Sequence, residues 1–446
     1  MNRVALLFAP KELSVSDPVI QHSLPTLGRS SRATSLGIVL AGVLALFLKA
    51  WIALTTFGSN DVVTFYSFAR SLSEHGLEWT YRHGVVWLAS SPIFNHPPLT
   101  AYFLRFIHFL AHQEALRVNG FTFPFLLRLP SIIADFVVVL VLLQISKTDA
   151  RIRRHSWALV LLALSPVSLM VSGFHGNTDP VMVMFFVLAS YMCLKKQPWL
   201  CGLFFALSCQ IKVIPLLFFP IFFFFWYHRR AIVSFLLPFV LTSIVLWWEP
   251  LLHFPTLFIK NVLSYGSYWG IWGITYWLRL TKLPAFSWVW FVDFSPAQTV
   301  VVTLLKVLIV ASIFVIAWRR RALGGRALIE SIAYGWIIFF VFSPGVCAQY
   351  MVWLAPFVLI LSPSFYAWLT ATSSLFLFFF YNITAHGLPW YLAISSNQLN
   401  MVWTPWTMWP WATLILGMVV LWRKAVIFDP ALRLFSLQTL PAESRE

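Results

Sequence analysis

The chain has 446 residues, 60% of them hydrophobic and 10% charged, with a mean hydropathy of +0.80. That leaves too little polar surface to close over a water-soluble core, so the composition excludes a soluble domain and predicts an all-α polytopic membrane protein. The net charge of +16 is carried in short basic clusters between apolar runs rather than along one face, which argues for membrane topology and against a nucleic-acid partner.

The first 35 residues are polar and basic, and are expected to form a cytoplasmic tail. The run "GIVLAGVLALFLKAWIALTTF" (37–57) is long enough to span a bilayer and has no A-x-A cleavage pattern, so it reads as a retained transmembrane helix. Lys49 lies near one end of it, where its stem can carry the ammonium toward the headgroups. Further apolar runs follow at 123–145, 156–172, 180–194, 199–209, 212–226, 231–248, 299–317, 327–342, 350–361, 364–382 and 408–422. With the first, they predict roughly twelve spans within a membrane domain covering 36–425, followed by a cytoplasmic tail at 426–446. An inside N-terminus puts 20 of the 31 Lys and Arg residues on the cytoplasmic side, so the positive-inside rule sets the orientation. The stretch 197–226 is too short for two full spans and reads as two short helices with "CQIK" (209–212) at the hairpin. Lys212 then stands partway into the bilayer, as a snorkelling lysine or facing a partner or aqueous cleft.

Two long segments fall outside, 58–122 and 249–298. The first contains amphipathic patterns at 62–73 and 93–111, and the second the aromatic stretch "SYGSYWGIWGITYWLRL" (264–280), all suited to the membrane interface. The polar residues Asp61, His96, His175, Asn177, Asp179, Gln349 and His386 all sort to this outer face, where a cleft is the default site. By spacing alone Asp61 and Asp179 also read as helix N-caps, Asp179 ahead of Pro180. His175 sits in a tight Gly-containing loop, and Pro97-Pro98 sets a rigid turn after His96. Gln349 and Tyr350 open a span, as an interfacial belt or a headgroup-binding pair; Trp353 is expected to pack between helices. Arg128, at the outer start of the second span, is a headgroup anchor or a phosphate ligand. Cys193, Cys201, Cys209 and Cys347 have no metal or C-x-x-C spacing, so neither a disulfide nor zinc is expected.

The order of these pieces resembles the type C glycosyltransferase superfamily, membrane enzymes that move a sugar from a polyprenyl-phosphate carrier to an acceptor. The residues that carry the likeness are Asp61, then "NHPPLTAYF" (95–103), "RLPSIIADF" (128–136), "GNTDPVMVMFFVLA" (176–189), "GLFFALSCQIKVIPLLFFP" (202–220) and "CAQYMVW" (347–353). They follow the bacterial polyprenyl-phosphate mannosyltransferase branch, with a weaker likeness to the first mannosyltransferase of the GPI pathway around Gln349-Tyr350. The resemblance runs from 36 to about 360. It implies that Asp61 is the general base in the transfer of a hexose, mannose by this branch, to a lipid or glycan acceptor; inversion is expected because one base and an in-line attack suffice and no second carboxylate is placed as a nucleophile. Several relatives carry two acidic residues in the first loop where this chain has Asn60-Asp61, so no metal or other cofactor is expected.

A single-phosphate leaving group calls for cationic or hydrogen-bonding side chains, for which Lys212, Arg128, Gln349 and Tyr350 are the candidates. His96, His175, Asn177, Asp179 and His386 are the candidates for holding sugar or acceptor hydroxyls. Nucleotide sugars are made in the cytoplasm, so an outer site needs a lipid-linked donor; a bacterial cytoplasmic membrane is the expected location, with the endoplasmic reticulum as alternative. The rival class is a lipid or sugar transporter or flippase, which would carry paired broken helices where this sequence shows one short hairpin.

Overall fold

The computed structural model describes residues 29–85, 93–263, 269–287, 294–394 and 404–428. The expectations for most of the two tails, and for the start of the aromatic stretch at 264–268, fall outside the described residues.

Each apolar run becomes a helix. Among the described residues seven are long and apolar enough to cross a membrane: Arg32–Thr55, Phe123–Thr148, Trp157–His175, Ile232–His253, Pro296–Arg320, Gly325–Phe342 and Pro363–Thr384. Five others, Asp179–Leu194, Pro198–Ile211, Ile214–His228, Ala348–Leu361 and Pro405–Leu421, are shorter. At 1.5 Å per residue, a helix of 16 residues reaches only about 24 Å against a hydrocarbon core of about 30 Å. The roughly twelve expected spans, of which the pair at 197–226 already reads as short, are therefore corrected to seven long helices and five short ones among the described residues. The hairpin near "CQIK" is present: Pro198–Ile211 ends at Lys212, which is extended, and Pro215 opens the next short turn.

The chain begins with α1 (Arg29–Thr55), a two-residue strand β1 (Gly58–Ser59), α2 (Asn60–His75), α3 (Leu77–His83), α4 (Pro98–Ala111), α5 (Glu114–Arg117) and α6 (Phe123–Thr148). The strand β1 pairs in parallel with β2 (Leu392–Ala393), which ties the first outer segment to the last third of the chain. The two amphipathic patterns appear as α2 and α4; Pro97 is extended and Pro98 takes the first helical position, so α4 starts later than the pattern suggests. The apolar face of α2 (Val62, Phe65, Phe68, Leu72) packs with Leu104 and Ile107 of α4, with Tyr81 and Phe94, and with Phe254, Phe258 and Val262 of the second outer segment. The two outer segments thus share one small core, and Asn261 Nδ2 donates to the Tyr81 carbonyl at 2.5 Å across it.

The larger core lies among the bundle helices, around aromatic side chains such as Phe186, Phe205, Phe218, Phe222, Trp336 and Trp353. Connectivity puts the basic turns at the opposite end from α2: Lys147 closes α6, and Arg151, Arg153 and Arg154 follow it. There Arg229 donates to the carbonyls of Arg321 and Leu323, and Arg326 pairs with Asp149 and Glu330.

Lys49 does not snorkel. It is buried within α1, and its Nζ lies 2.6 Å from Asp135 Oδ2 of α6 and 2.5 Å from Ser168 Oγ. A carboxylate in the apolar run of α6 needs a partner, and the one lysine of α1 supplies it.

Candidate functional site

Five segments deliver polar side chains to the end of the bundle away from the basic turns: the first turn of α2, the turn 175–179, the hairpin at Lys212, the 3-10 segment Ala348–Val352 and the end of the helix Pro363–Thr384. The second of these is unusual in its backbone. Leu169–His175 is a π-helix, closed by Gly176 at φ +83°, a conformation in which a side chain is strained. A Cβ on Gly176 would also stand 2.3 Å from Val62 Cγ2, so only glycine lets this turn approach α2.

The carboxylate of Asp61 is the centre. Its Oδ2 accepts from His175 Nε2 at 3.1 Å, Asn177 Nδ2 at 2.7 Å and Gln349 Nε2 at 3.3 Å. Its Oδ1 takes no hydrogen bond from the described residues, and the side chain is 27% exposed. The capping reading of Asp61 is overturned: the cap is Ser59, whose Oγ accepts from the Asp61 amide at 3.1 Å and donates to the His175 carbonyl at 2.8 Å. With Asp61 ionised, His175 carries its proton on Nε2, and Nδ1 accepts from the Tyr381 hydroxyl at 2.9 Å.

Burial pushes the Asp61 carboxyl up, but the neighbouring His175, the charge of Lys212 and the Asn177 amide outweigh it, and the group is held below its ordinary value. His96 sits near enough to feel both Lys212 and Asp61. Burial and the Lys212 charge push its imidazole down to about 3, so it is neutral at physiological pH. Its ring packs 5.1 Å from that of Phe65.

A second pair stands beside this centre. Lys212 Nζ donates to both oxygens of Asp179 at 2.9 Å, and the Trp353 indole donates to Asp179 Oδ1. The expected cap role of Asp179 is corrected, because both oxygens face the lysine and the indole rather than the helix amides. Asp179 is fully buried and both its oxygens are engaged, so it is not placed to meet a sugar hydroxyl. An ammonium has three N–H groups, and the Lys212 side chain is 13% exposed. Tyr350 stacks on Trp353 at 3.7 Å, with Lys212 Nζ 5.2 Å from the Tyr350 ring centroid.

Two expected site residues are elsewhere. Arg128 is completely buried and its guanidinium donates six hydrogen bonds: to the carbonyls of Ala53, Thr56, Pro124, Gly173 and Phe174, and to Thr56 Oγ1. No donor direction remains for a phosphate, so its assignment as a phosphate ligand is withdrawn. His386 is exposed in a turn with φ +58°, without a side-chain contact to the cluster. Tyr381 was missed because it lies 206 residues from His175 in a Phe-rich span; its signal is a tyrosine within that apolar run. No group of three His, Cys, Asp or Glu side chains that could hold a metal occurs among the described residues.

No curated protein matches the chain. Residues 78–267 match the model of the ALG6, ALG8 glycosyltransferase family, a family of type C membrane glycosyltransferases. The likeness to that superfamily is thus shown. The matched segment carries His96, His175, Asn177, Asp179 and Lys212, while Asp61 and Gln349 stand on either side of it. The match implies glycosyltransferase activity in an integral membrane protein.

Proposed function

We propose that this protein transfers a hexose from a polyprenyl-phosphate-linked donor to a hydroxyl of a lipid or glycan acceptor on the non-cytoplasmic face, with inversion and with Asp61 as general base. The observation that carries the reading is the Asp61 carboxylate, held by three donors on one oxygen with the other uncommitted, beside a lysine partly open to the surface.

In the reaction the acceptor oxygen attacks the anomeric carbon and loses its proton to Asp61 Oδ1. The bond from that carbon to the phosphate oxygen breaks, and its electron pair leaves with the phosphate. His175, Asn177 and Gln349 hold Oδ2, which turns Oδ1 toward the acceptor. Lys212, the Gln349 amide and the Tyr350 edge of the site receive the leaving group, a single phosphate whose developing second charge is met by these donors and needs no metal in this reading. Because Asp179 already holds Lys212, the phosphate takes the remaining N–H or displaces one of the two bonds. Mannose is the hexose favoured by the branch resemblance.

Purified protein incubated with polyprenyl-phosphate mannose and polyprenyl-phosphate glucose, with and without a chelator, tests the proposal. Transfer of one sugar to a lipid or glycan acceptor, unaffected by chelation, is expected. Movement of the intact donor lipid across a vesicle membrane without transfer would instead establish the transporter class.

The Lys212 role is read best in the charge-balanced double variant Lys212→Met/Asp179→Asn, since removing the lysine alone would bury an unpaired carboxylate. A charge-assisted hydrogen bond of about 2 kcal/mol corresponds to a donor affinity weakened roughly thirtyfold. Wild-type donor affinity in a binding assay would remove Lys212 from the phosphate site.

The lowered Asp61 carboxyl has a pH consequence with a definite sign. The group is ionised above the ordinary carboxylate range, so kcat/KM, which reports the free enzyme, is expected to show no acid limb from this group down to about pH 4. A bound phosphate neutralises the Lys212 charge that helps lower the carboxyl, so the acid limb of kcat should lie at higher pH than that of kcat/KM. The same group contributes stability that is present above the unfolded value and is lost as the pH falls through the folded one. pH–rate profiles of both parameters check the order of the two limbs.

A further inference from the structure

The motif "RLPSIIADF" (128–136) plays no part in the chemistry above, yet it places three polar side chains in the span α6. Arg128, Ser131 and Asp135 are spaced three and four residues apart and so share one face of the helix. Every one of them reaches the same neighbour. Arg128 Nη1 donates to the carbonyls of Gly173 and Phe174, both at 3.1 Å. Ser131 Oγ donates to the Asn177 carbonyl at 2.6 Å. Asp135 Oδ2 accepts from Ser168 Oγ at 2.5 Å and Ser172 Oγ at 2.6 Å, with Lys49 as its counter-charge.

The segment they hold, 168–177, contains the π-helix and ends in His175 and Asn177. A helix end leaves its last carbonyls without amide partners. Here Gly173 and Phe174 are taken by Arg128, His175 by Ser59 and Asn177 by Ser131. Lower down, Gly173 lies against α1 so closely that a Cβ would stand 3.3 Å from Lys49 Cα. Polar and ionised groups inside a span are costly, and packing alone would be met by apolar residues at these positions.

We propose that Arg128, Ser131 and Asp135, with Lys49, are positioning residues that fix the π-helical segment and thereby aim His175 and Asn177 at Asp61 Oδ2. The inference rests on the proposed role of Asp61. It makes the geometry of the site depend on groups that touch neither donor nor acceptor: a hydroxyl one turn and an ion pair two turns below Arg128.

The test uses full-length protein and two readouts. Ser131→Ala removes only the hydrogen bond to the Asn177 carbonyl; Lys49→Met/Asp135→Asn removes the lower attachment without burying an unpaired charge. Each is expected to lower kcat about tenfold per folded molecule, with the donor KM within about twofold of wild type, because displacement of the base, not loss of binding, is the defect. Ser131→Thr, which keeps the hydroxyl, should restore kcat.

The second readout needs no substrate: the titration of Asp61, followed as its carboxyl infrared band in difference spectra against Asp61→Asn. The groups facing Asp61 are His175 and Asn177 of the turn, Gln349, Lys212 at the hairpin, His96 ahead of α4, Asp179, Cys347 and Tyr381. Only the first two are displaced by these variants, so the midpoint should rise by about one pH unit. A shifted midpoint in a protein that transfers no sugar would keep this inference and remove the proposed function. An unshifted midpoint with wild-type kcat per folded molecule, whatever the folded yield, would leave the stripe a scaffold and overturn the inference. Should one of the variants not fold, the other reads the same segment from its opposite end.

Discussion

Asp61→Asn is expected to lower turnover by about 10²–10⁴-fold, the range a positioned general base contributes, while the protein stays folded and still binds donor lipid. The substitution is nearly isosteric and removes one negative charge. An asparagine oxygen at the Oδ2 position can still accept from Asn177 and His175, so the turn 175–179 keeps its attachment to α2. The other position becomes an NH₂ group, which cannot accept a proton from the acceptor hydroxyl. Donor affinity should change little, because Lys212 and Asp179 are paired with each other and not with Asp61. Multiple-turnover transfer and equilibrium binding of the donor lipid, measured on the same preparation, separate the two effects. Turnover at the wild-type rate would remove Asp61 as base; loss of donor binding would assign it to the donor site.

The helices were legible because each apolar run has a length and boundary that local chemistry sets, down to the interruption at Lys212. Depth was less legible. A run of 15 apolar residues reads the same whether it crosses a bilayer or stops inside the bundle against neighbours, and only the packing of helices such as Asp179–Leu194 decides. The sorting of polar residues to one face named Asp61, His96, His175, Asn177, Asp179 and Gln349, and the structure brings them to one end of the bundle, where Lys212 and Tyr350 join them, since topology fixes which end of each helix they occupy. It also gathered His386, which the structure leaves exposed and without a side-chain contact to the cluster. Sidedness restricts a residue to a surface; contact needs the third dimension.

The capping readings of Asp61 and Asp179 failed for a related reason. Local propensity is a statement about the nearest amides, and in both cases a partner more than thirty residues away claims the carboxylate. Ser59 and Thr178 occupy the cap positions instead, one residue or two before the acid. A usable signal was present for the buried ion pair. Asp135 and Lys49 are opposite charges in two neighbouring apolar runs, and in hydrocarbon each is far costlier alone than together. Asking which cation could satisfy Asp135 would have found Lys49, and with it the reason α1 and α6 pack side by side.

Arg128→Leu is expected to prevent accumulation of folded protein. The guanidinium joins α1, α6 and the π-helical segment through four carbonyls outside its own helix turn, those of Ala53, Thr56, Gly173 and Phe174. Leucine leaves all four buried without donors, at about 1–3 kcal/mol each, and even with incomplete additivity the total reaches the 5–15 kcal/mol by which proteins are stable at all. Arg128→Lys is the informative partner variant. A lysine keeps the charge but offers three N–H groups from one atom, so it cannot reach acceptors that the planar fork meets on two sides. It should fold with a clearly lower unfolding temperature, read by fluorescence-detected size exclusion after heating, and the folded fraction should bind donor lipid with wild-type affinity. Had Arg128 been a phosphate ligand, the pattern would invert: Arg128→Lys would keep its thermal stability and lose donor affinity, because a single ammonium does not reproduce the paired hydrogen bonds that a guanidinium gives a phosphate.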